Sequence, residues 1–411
     1  MKSVPLKHLA TLHTKSQGSD PRPILSLDMI EGGTGLGTED PWADVRSPPQ
    51  SGVVDAEAGD VLFGKLRPYL AKVLRVTEPC YASSELMCLR PQEGIDSKWL
   101  AYRMLSRPVV EWAVATSEGT KMPRTRWENL GEFRVATPSV TQQRAIADYL
   151  DSETSRIDAL IAKKLRLSHV VYERATREFG RAMASEGFSL PSALGWEAFN
   201  SLKIPDGWVV LSLGRVLRQL TNGYVGPTRD ILREEGVKYV QSLHIKEGKI
   251  DFARKPYYVD LEWHENRPRI NLRPGDILIV QTGDIGQVAL VDEDLGPASC
   301  HALQIARPRL ELVSSEYLFA YLSSPFGQAS LLRMATGALH PHLEGSIRDV
   351  PVPVPPPGAQ AEIAQATELA WRIGRAVRES LSTQARLLSE HRQALITAAV
   401  TGELEIPGVA V

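Results

Sequence analysis

One order of short motifs occurs twice in this chain, and that repetition limits the fold more than any single residue does. Ala58-Gly-Asp-Val-Leu62 returns as Pro274-Gly-Asp-Ile-Leu278, and Leu89-Arg-Pro91 as Ala306-Arg-Pro308. Trp99-Leu-Ala-Tyr102 and Ser106-Arg-Pro108 return as Tyr317-Leu-Phe-Ala320 and Ser323-Ser-Pro325. Gly119-Thr-Lys-Met-Pro123 returns as Gly337-Ala-Leu-His-Pro341, and Phe133-Arg-Val-Ala-Thr-Pro138 as Val350-Pro-Val-Pro-Val-Pro355. Gln143 with Ile146 then matches Gln360 with Ile363. The offset stays at roughly 217 residues in unbroken order, the signature of a tandem repeat. The 411 residues thus divide near Gly187–Pro205 into two units, each a globular region followed by a long helix.

The helices announce themselves by period. After Pro138, apolar or small residues recur at Ile146, Tyr149, Leu150, Ile157, Leu160, Ile161, Lys164, Ser168, Val171, Ala175, Phe179 and Ala182. Steps of three and four describe a narrow coiled-coil-like seam, and charges fill the positions between. After Pro355-Pro-Pro-Gly358 the series is Ile363, Ala370, Ile373, Val377, Leu381, Gln384, Leu388, His391, Leu395 and Ala398. A helix of ~40 residues is ~60 Å long, more than a compact domain of this size needs. Two such helices, each after a Pro-rich boundary, are expected to pair with each other.

Within each globular region, Asp60-Val-Leu-Phe63 and Asp276-Ile-Leu-Ile-Val280 read as buried strands leaving a Gly-Asp turn. Lys98–Met104 and Ser315–Leu322 read as short helices, and Pro351–Pro355 as an extended connector unfit for a central strand. Gly32–Gly52 and Asn222–Gly236 read as surface loops. The fold class that follows is α+β. The net charge is -2 and there are three cysteines, without a Cys-x-x-Cys pair, so neither a disulfide framework nor a zinc site is expected. Without an apolar run of ~18 residues or a secretory leader, a cytoplasmic protein with no membrane contact is expected.

Motifs for enzymatic chemistry are weak. Glu31-Gly-Gly-Thr-Gly-Leu-Gly37 contains Gly-x-Gly-x-Gly, but Thr-Glu-Asp-Pro-Trp follows it where a cofactor loop needs a helix; a flexible loop is expected. Ser47-Pro-Pro-Gln50 lacks the aromatic residue that stacks on a flipped base. Asp206 and Glu247 stand in separate turn-like contexts, and His340-Pro-His342 lacks further ligands nearby. Local basic clusters are the better signal despite the near-neutral total: Lys65, Arg67 and Lys72, then Lys121, Arg124 and Arg126. Such groups neutralise phosphates and read guanine edges, or else form an ordinary solvated face. In the second unit, Asn222, Tyr224, Gln281, Thr282, His340 and His342 are polar loop residues that suit base reading or turn capping equally.

The run Pro138-Ser-Val-Thr-Gln142-Gln143-Arg-Ala-Ile146-Ala-Asp-Tyr-Leu150-Asp-Ser-Glu-Thr154-Ser-Arg-Ile157-Asp158-Ala-Leu160-Ile161 resembles the conserved region of specificity (S) subunits of type I restriction-modification enzymes. Leu395-Ile-Thr-Ala-Ala-Val-Thr401-Gly402 resembles the close of that family's last helix, and Ile204-Pro-Asp-Gly-Trp208 with Leu211, Leu213 and Gly214 the opening of a target-recognition domain. The resemblance spans essentially the whole chain. One departure is Gly358-Ala-Gln360-Ala-Glu362, where the family usually has a Glu-Gln pair; another is the low basic content of the second domain.

This resemblance implies two tandem α/β target-recognition domains joined by two long antiparallel coiled-coil helices, with a pseudo-two-fold internal repeat. The domains expected are residues 1–138 and 191–355, the helices 139–190 and 356–404, and the tail 405–411. It implies a non-catalytic subunit that reads a bipartite target in double-stranded DNA. Two methyltransferase (modification) subunits and ATP-dependent restriction (motor) subunits are the implied partners. No cofactor is expected on this chain; S-adenosylmethionine, ATP and Mg are implied in the partners. Gln142, Gln143, Ile146, Leu150, Ile157, Leu160 and Ile161, with Ile363, Ile373, Val377, Leu381, Leu388 and Leu395, are candidates for helix pairing and partner contacts. The alternatives are a coiled-coil scaffold for proteins and a fused methyltransferase-nuclease relic.

Overall fold

The structure is a computed structural model describing residues 2–15, 20–38, 42–43, 45–46, 52–192, 195–337, 342–343 and 345–406. The chain gathers into two compact units that do not follow chain order. One comprises Met1–Arg166 with Leu381–Val411, and the other Leu167–Ser380.

In the first unit the central strand Val61–Gly64 lies between Leu86–Pro91 and Val73–Arg75, with Ala10–His13 beyond, all antiparallel. Every residue of Val61–Gly64 is buried, which explains its unbroken apolar run: a strand covered on both faces has no polar side to alternate with. Val61 and Phe63 face a core built with Leu89, Trp99, Met104, Ile146, Leu150, Ile396 and Val400. Leu62 faces the opposite core, with Leu25, Leu74, Cys80 and Cys88. A second sheet, ordered Val45–Arg46, Arg22–Leu25, Cys80–Ser83, Val53–Ala56, closes that side.

The second unit repeats the plan. Ile277–Val280 sits between Leu303–Pro308 and Val288–Leu290, with Leu217–Asn222 beyond. Ile277 and Ile279 face Phe179, Met183, Tyr317, Tyr321 and Ile363, while Leu278 and Val280 face Cys300 and Ile305. Pro351–Val354 is a strand, in a two-stranded pair with Val209–Ser212, a position that tolerates its missing N–H donors.

The repeated Gly-Asp and Arg-Pro fragments meet in space. Asp60 accepts the Glu57 N–H (2.9 Å) and a two-pronged pair from Arg90 at 3.0 and 2.8 Å. Asp276 accepts the Arg273 N–H (2.9 Å) and both prongs of Arg307 at 2.7 Å. Each aspartate therefore closes the turn before the central strand and anchors the neighbouring strand. The turn glycines, Gly59 and Gly275, have φ of 97° and 86°, a region open to glycine.

Two long helices complete the fold, Val140–Ser185 of 46 residues and Pro357–Thr401 of 45. The first is capped by Ser139, whose N–H and hydroxyl both bond Gln142 Oε1 at 2.9 and 3.0 Å. The second has alanine where Gln142 stands and uses Pro357 at its first turn instead. Gly187 and Gly402, both at φ 82°, end the helices; behind them Phe188 N–H bonds Met183 O (3.0 Å) and Glu403 N–H bonds Ala398 O (2.9 Å).

The duplicated glutamine explains how each helix docks on its own domain. Gln143 Oε1 accepts the Asp96 N–H (2.8 Å), and its Nε2 donates to Pro138 O (3.0 Å) and Gly94 O (3.3 Å). Gln360 Oε1 accepts the Ser314 N–H (2.8 Å), and its Nε2 donates to Pro355 O (2.9 Å) and Leu312 O (3.0 Å). Both side chains are buried. Gln143, named among the candidates for helix pairing and partner contacts, ties a helix start to a loop.

Helix pairing is antiparallel within each unit. In the first, Arg392 meets Asp158 at 2.9 Å and Lys164 Nζ donates to Gln384 Oε1 at 2.6 Å. In the second, the Arg378 guanidinium lies 4.7 Å over the Tyr172 ring, and a Cβ on Gly374 would sit 3.0 Å from Ala175 Cβ. The expected seam shifts here: Ile373 is 55% exposed and Val377 38%, while Gly374 is buried. Leu160 is likewise exposed, Leu388 and Leu395 are half-buried, and Leu381, Ala385 and Ile396 carry the seam in the first unit. A small residue lets the backbones approach, so the stripe through Gly374 wins over the bulkier one beside it.

Replacing Gln143 by Met keeps the volume but leaves one N–H and two carbonyls without partners; at 1–3 kcal/mol per stranded buried group, with partial rehydration, the loss is about 2–4 kcal/mol. Gln360→Met is expected to cost the same in the other unit. Urea titration followed by unit-resolved hydrogen exchange measures it, and a loss below about 0.5 kcal/mol would contradict the docking role.

Candidate nucleic-acid interface

In the first unit two turns form one surface. The turn 65–72 follows the central strand and is sharply bent, with Arg67 and Ala71 at φ 51° and 47° flanking Pro68–Leu70. Non-glycine residues in this region are strained, and strain concentrates where function needs a fixed shape. The segment 118–126 lies against it through the Leu66–Arg124 bridge, Arg67 N–H to Pro123 O (2.8 Å) and Thr125 N–H to Lys65 O (3.0 Å). The two basic clusters read from the sequence are therefore brought together.

Most of their charge is already engaged. Arg124 Nη2 donates to both oxygens of Glu85 at 2.9 Å, and Arg126 pairs with Glu118 at 2.8 Å. Lys65 Nζ donates to Ser84 O (2.6 Å) and Lys72 Nζ to Leu27 O (2.7 Å). Burial lowers the Lys65 pKa, with Glu85 opposing. Arg67 and Lys121 stand exposed on the two turns.

The Gly-rich stretch 31–37, expected to be a flexible loop, is hydrogen-bonded along its length to its surroundings. Ile30 and Gly37 bridge across it, Thr34 Oγ1 accepts the Leu36 N–H (3.1 Å), and Gly33 N–H bonds Ala71 O (3.0 Å). Arg392 of the closing helix donates to Gly33 O (3.2 Å) and Thr34 O (2.7 Å).

In the second unit, Asn222 is exposed at a strand end and Tyr224 follows across Gly223, where a Cβ would come within 2.6 Å of Cys300. Tyr224 stands edge-on to Trp263 (5.3 Å), which is edge-on to Tyr239 (5.6 Å), and the Arg267 guanidinium covers Trp263 at 4.3 Å. Tyr239 OH lies 3.3 Å from His301 Nδ1, and His264 Nδ1 lies 2.8 Å from Ser299 Oγ. The sequence reading found Tyr224 but missed Trp263, Arg267, His264 and His301; the run Trp263-His264 with Arg267 at helical spacing is the only local signal.

Thr282 is exposed beside the Gly283 turn. Gln281 is half-buried, with its side-chain Nε2 buried and its main-chain carbonyl accepting the Leu343 N–H at 3.1 Å. His342 pairs its backbone with Thr336, and His340, like Ser47–Gln50, lies outside the described residues. Glu247 pairs with Arg378 at 3.1 Å. Among the described residues no three His, Cys, Asp or Glu side chains converge on a metal-sized site, and no helix is long and apolar enough to cross a membrane.

Burial lowers the pKa of His244, His264 and His301, all in the second unit. A depressed imidazole pKa means that the unfolded chain takes up protons first. The stability these groups contribute is complete above the unfolded value of about 6.5 and declines as pH falls through it. Hydrogen exchange at pH 7.5 and 5.5 is expected to show the second unit opening more readily at the lower pH, with the first changing less. Equal protection in the second unit at both values would contradict this.

No family model matches the chain. It is 22% identical over 340 residues to the EcoBI specificity subunit of Escherichia coli, covering 80% of this chain and 70% of that protein. It is 27% identical over 165 residues to the MjaIX specificity subunit of Methanocaldococcus jannaschii, covering 38% and 36%. Among solved structures, it matches a chain from a study of assembly and conformational transition in the type I R-M system, with a TM-score of 0.73, 17% identity and 98% of each chain covered. The HsdS subunit of Thermoanaerobacter tengcongensis matches with a TM-score of 0.51 and 17% identity, over 98% of this chain and 97% of the other. In sequence and in fold, this chain is related to the specificity subunits of type I restriction-modification enzymes.

Proposed function

We propose that this chain is the non-catalytic DNA-specificity subunit of such a complex, reading a two-part sequence in duplex DNA with one half-site for each globular domain. The observation that carries this reading is the duplication itself: one frame, built twice on the same Gly-Asp turn and docking glutamine, carries two chemically different loop surfaces. Sequence-reading residues belong on loops held by a rigid scaffold. In the first domain Arg67 and Lys121 would meet phosphates; in the second Asn222, Tyr224 and Thr282 would face the bases. Methyl transfer and ATP-driven cleavage would belong to partner subunits, together with S-adenosylmethionine, ATP and Mg. Exposed apolar residues on the long helices, Leu160 and Leu165 in one unit and Val170 and Ile373 in the other, suit docking of the modification subunits.

Methylome sequencing of cells expressing the chain with its methyltransferase partner tests the reading. The expected result is adenine methylation in both halves of a split motif; a continuous motif, or none with the partner bound, would overturn it. Salt-sensitive binding to duplex DNA separates recognition of nucleic acid from protein scaffolding.

Arg67→Ala with Lys121→Ala is expected to weaken binding across sequences. The salt slope should fall by about 0.9 for each phosphate that the protein no longer neutralises, read by titration at several salt concentrations. Deleting seven residues from each long helix preserves the seam and removes ~10.5 Å, about three base pairs at ~3.4 Å each. In this reading helix length sets the unspecified gap between the two half-sites, so that gap is expected to shorten by about that much with both half-sites unchanged, and an unaltered gap would defeat the idea.

A further inference from the structure

We infer that Arg392, on the closing helix, is a positioning residue for the first recognition surface, an inference that rests on the DNA reading above. The residue is 4% exposed. Its guanidinium makes a two-pronged pair with Asp158 of the central helix at 2.9 and 3.2 Å, and donates to the Gly33 and Thr34 carbonyls at 3.2 and 2.7 Å. One side chain thus joins three segments: both long helices and the 31–37 loop.

The loop passes this constraint to the candidate interface. Gly32 bridges to Lys72 and Gly33 N–H bonds Ala71 O. A Cβ on Gly32 would fall 2.6 Å from Leu70 O, so the loop and the strained 65–72 turn touch backbone to backbone. That turn in turn holds 123–125 through Arg67 and Lys65. From the 31–37 loop to Arg67 and the 118–126 segment the connections are backbone hydrogen bonds and bridges throughout, a stiff route rather than a chain of mobile side chains.

Helix pairing alone does not call for this arginine. In the second unit the helices meet at Gly374 and Ala175 through small side chains. Burying an ion pair gives little net stability, and what Arg392 adds beyond the pair is its grip on two loop carbonyls. Lysine at this position would keep a charge but give up the fork that serves four acceptors at once.

The test uses the complete complex with its methyltransferase partner and a library varying every base of both half-sites. The half-site read by the first unit is the one that photocrosslinks to a label carried at Tyr69, exposed on the 65–72 turn. In Arg392→Met, discrimination at that half-site is expected to fall about tenfold, equivalent to 1.4 kcal/mol, while the other half-site and the gap stay as they were. Amides of 31–37 and 65–72 are expected to exchange faster, with the remainder of the first unit unchanged. Should Arg392→Met fail to assemble, Arg392→Lys carries the same expectation, since it also gives up the bonds to the loop carbonyls. Unchanged discrimination at both halves, or equal loss at both, would overturn the inference. Failure of the unsubstituted complex to read any two-part sequence would instead defeat the underlying DNA reading, and the inference with it.

Discussion

A buried carboxamide in the first turn of each long helix is the interaction on which the rest of the architecture depends. Gln143 and Gln360 each offer one acceptor and two donors, and in both copies the surroundings present one N–H and two carbonyls. Glutamate would set an anion against two carbonyl oxygens, and an apolar residue would strand three polar groups. Among side chains of this length, the amide satisfies all three. Because its partners lie in the loop before the short helix and at the proline boundary, the same bonds fix the angle at which the long helix leaves its domain.

The aspartate–arginine pair does comparable work inside each sheet. A strand buried on both faces has no solvent side to tell it which residue points where, and its register must come from its ends. Asp60 and Asp276 supply that by closing the preceding turn and gripping Arg90 and Arg307 on the adjacent strand. Burial pushes the Cys80 thiol up to about 12, and Cys88 moves the same way beside Asp60. Both cysteines pack in the core beneath Leu62, and the Cys88 thiol also donates to Asp60 Oδ2 at 3.4 Å.

The repeat, the two strands after Gly-Asp, the short helices and both long helices with their glycine ends were legible in the sequence because each rests on local pattern. The seam was less so. Apolar stripes one residue apart differ by ~100° around a helix, and whether Gly374 or Ile373 faces the partner depends on how closely the backbones approach. The state of the basic residues was hidden for another reason: Glu85 pairs with Arg124 from 39 positions away. The Gly-rich loop looked free because the arginine that holds it lies 359 positions downstream. The aromatic cluster draws Tyr224, Tyr239, Trp263 and His301 from four segments, and no single window contains it.

Under the proposed function, the two candidate surfaces would solve recognition with different physics. In the first unit, Glu85 and Glu118 hold Arg124 and Arg126, backbone carbonyls hold Lys65 and Lys72, and Arg67 and Lys121 stand exposed, so a phosphate would meet the last two first. In the second unit Tyr224 and Trp263, with the Arg267 guanidinium over the indole, line a half-buried patch, and burial lowers the pKa of His264 and His301 beside it. That patch offers ring faces and hydrogen-bonding groups, with Arg267 as its nearest charge. Under the proposed function, the salt dependence of binding then comes mainly from the first half-site, while discrimination at the second depends on packing and tolerates salt.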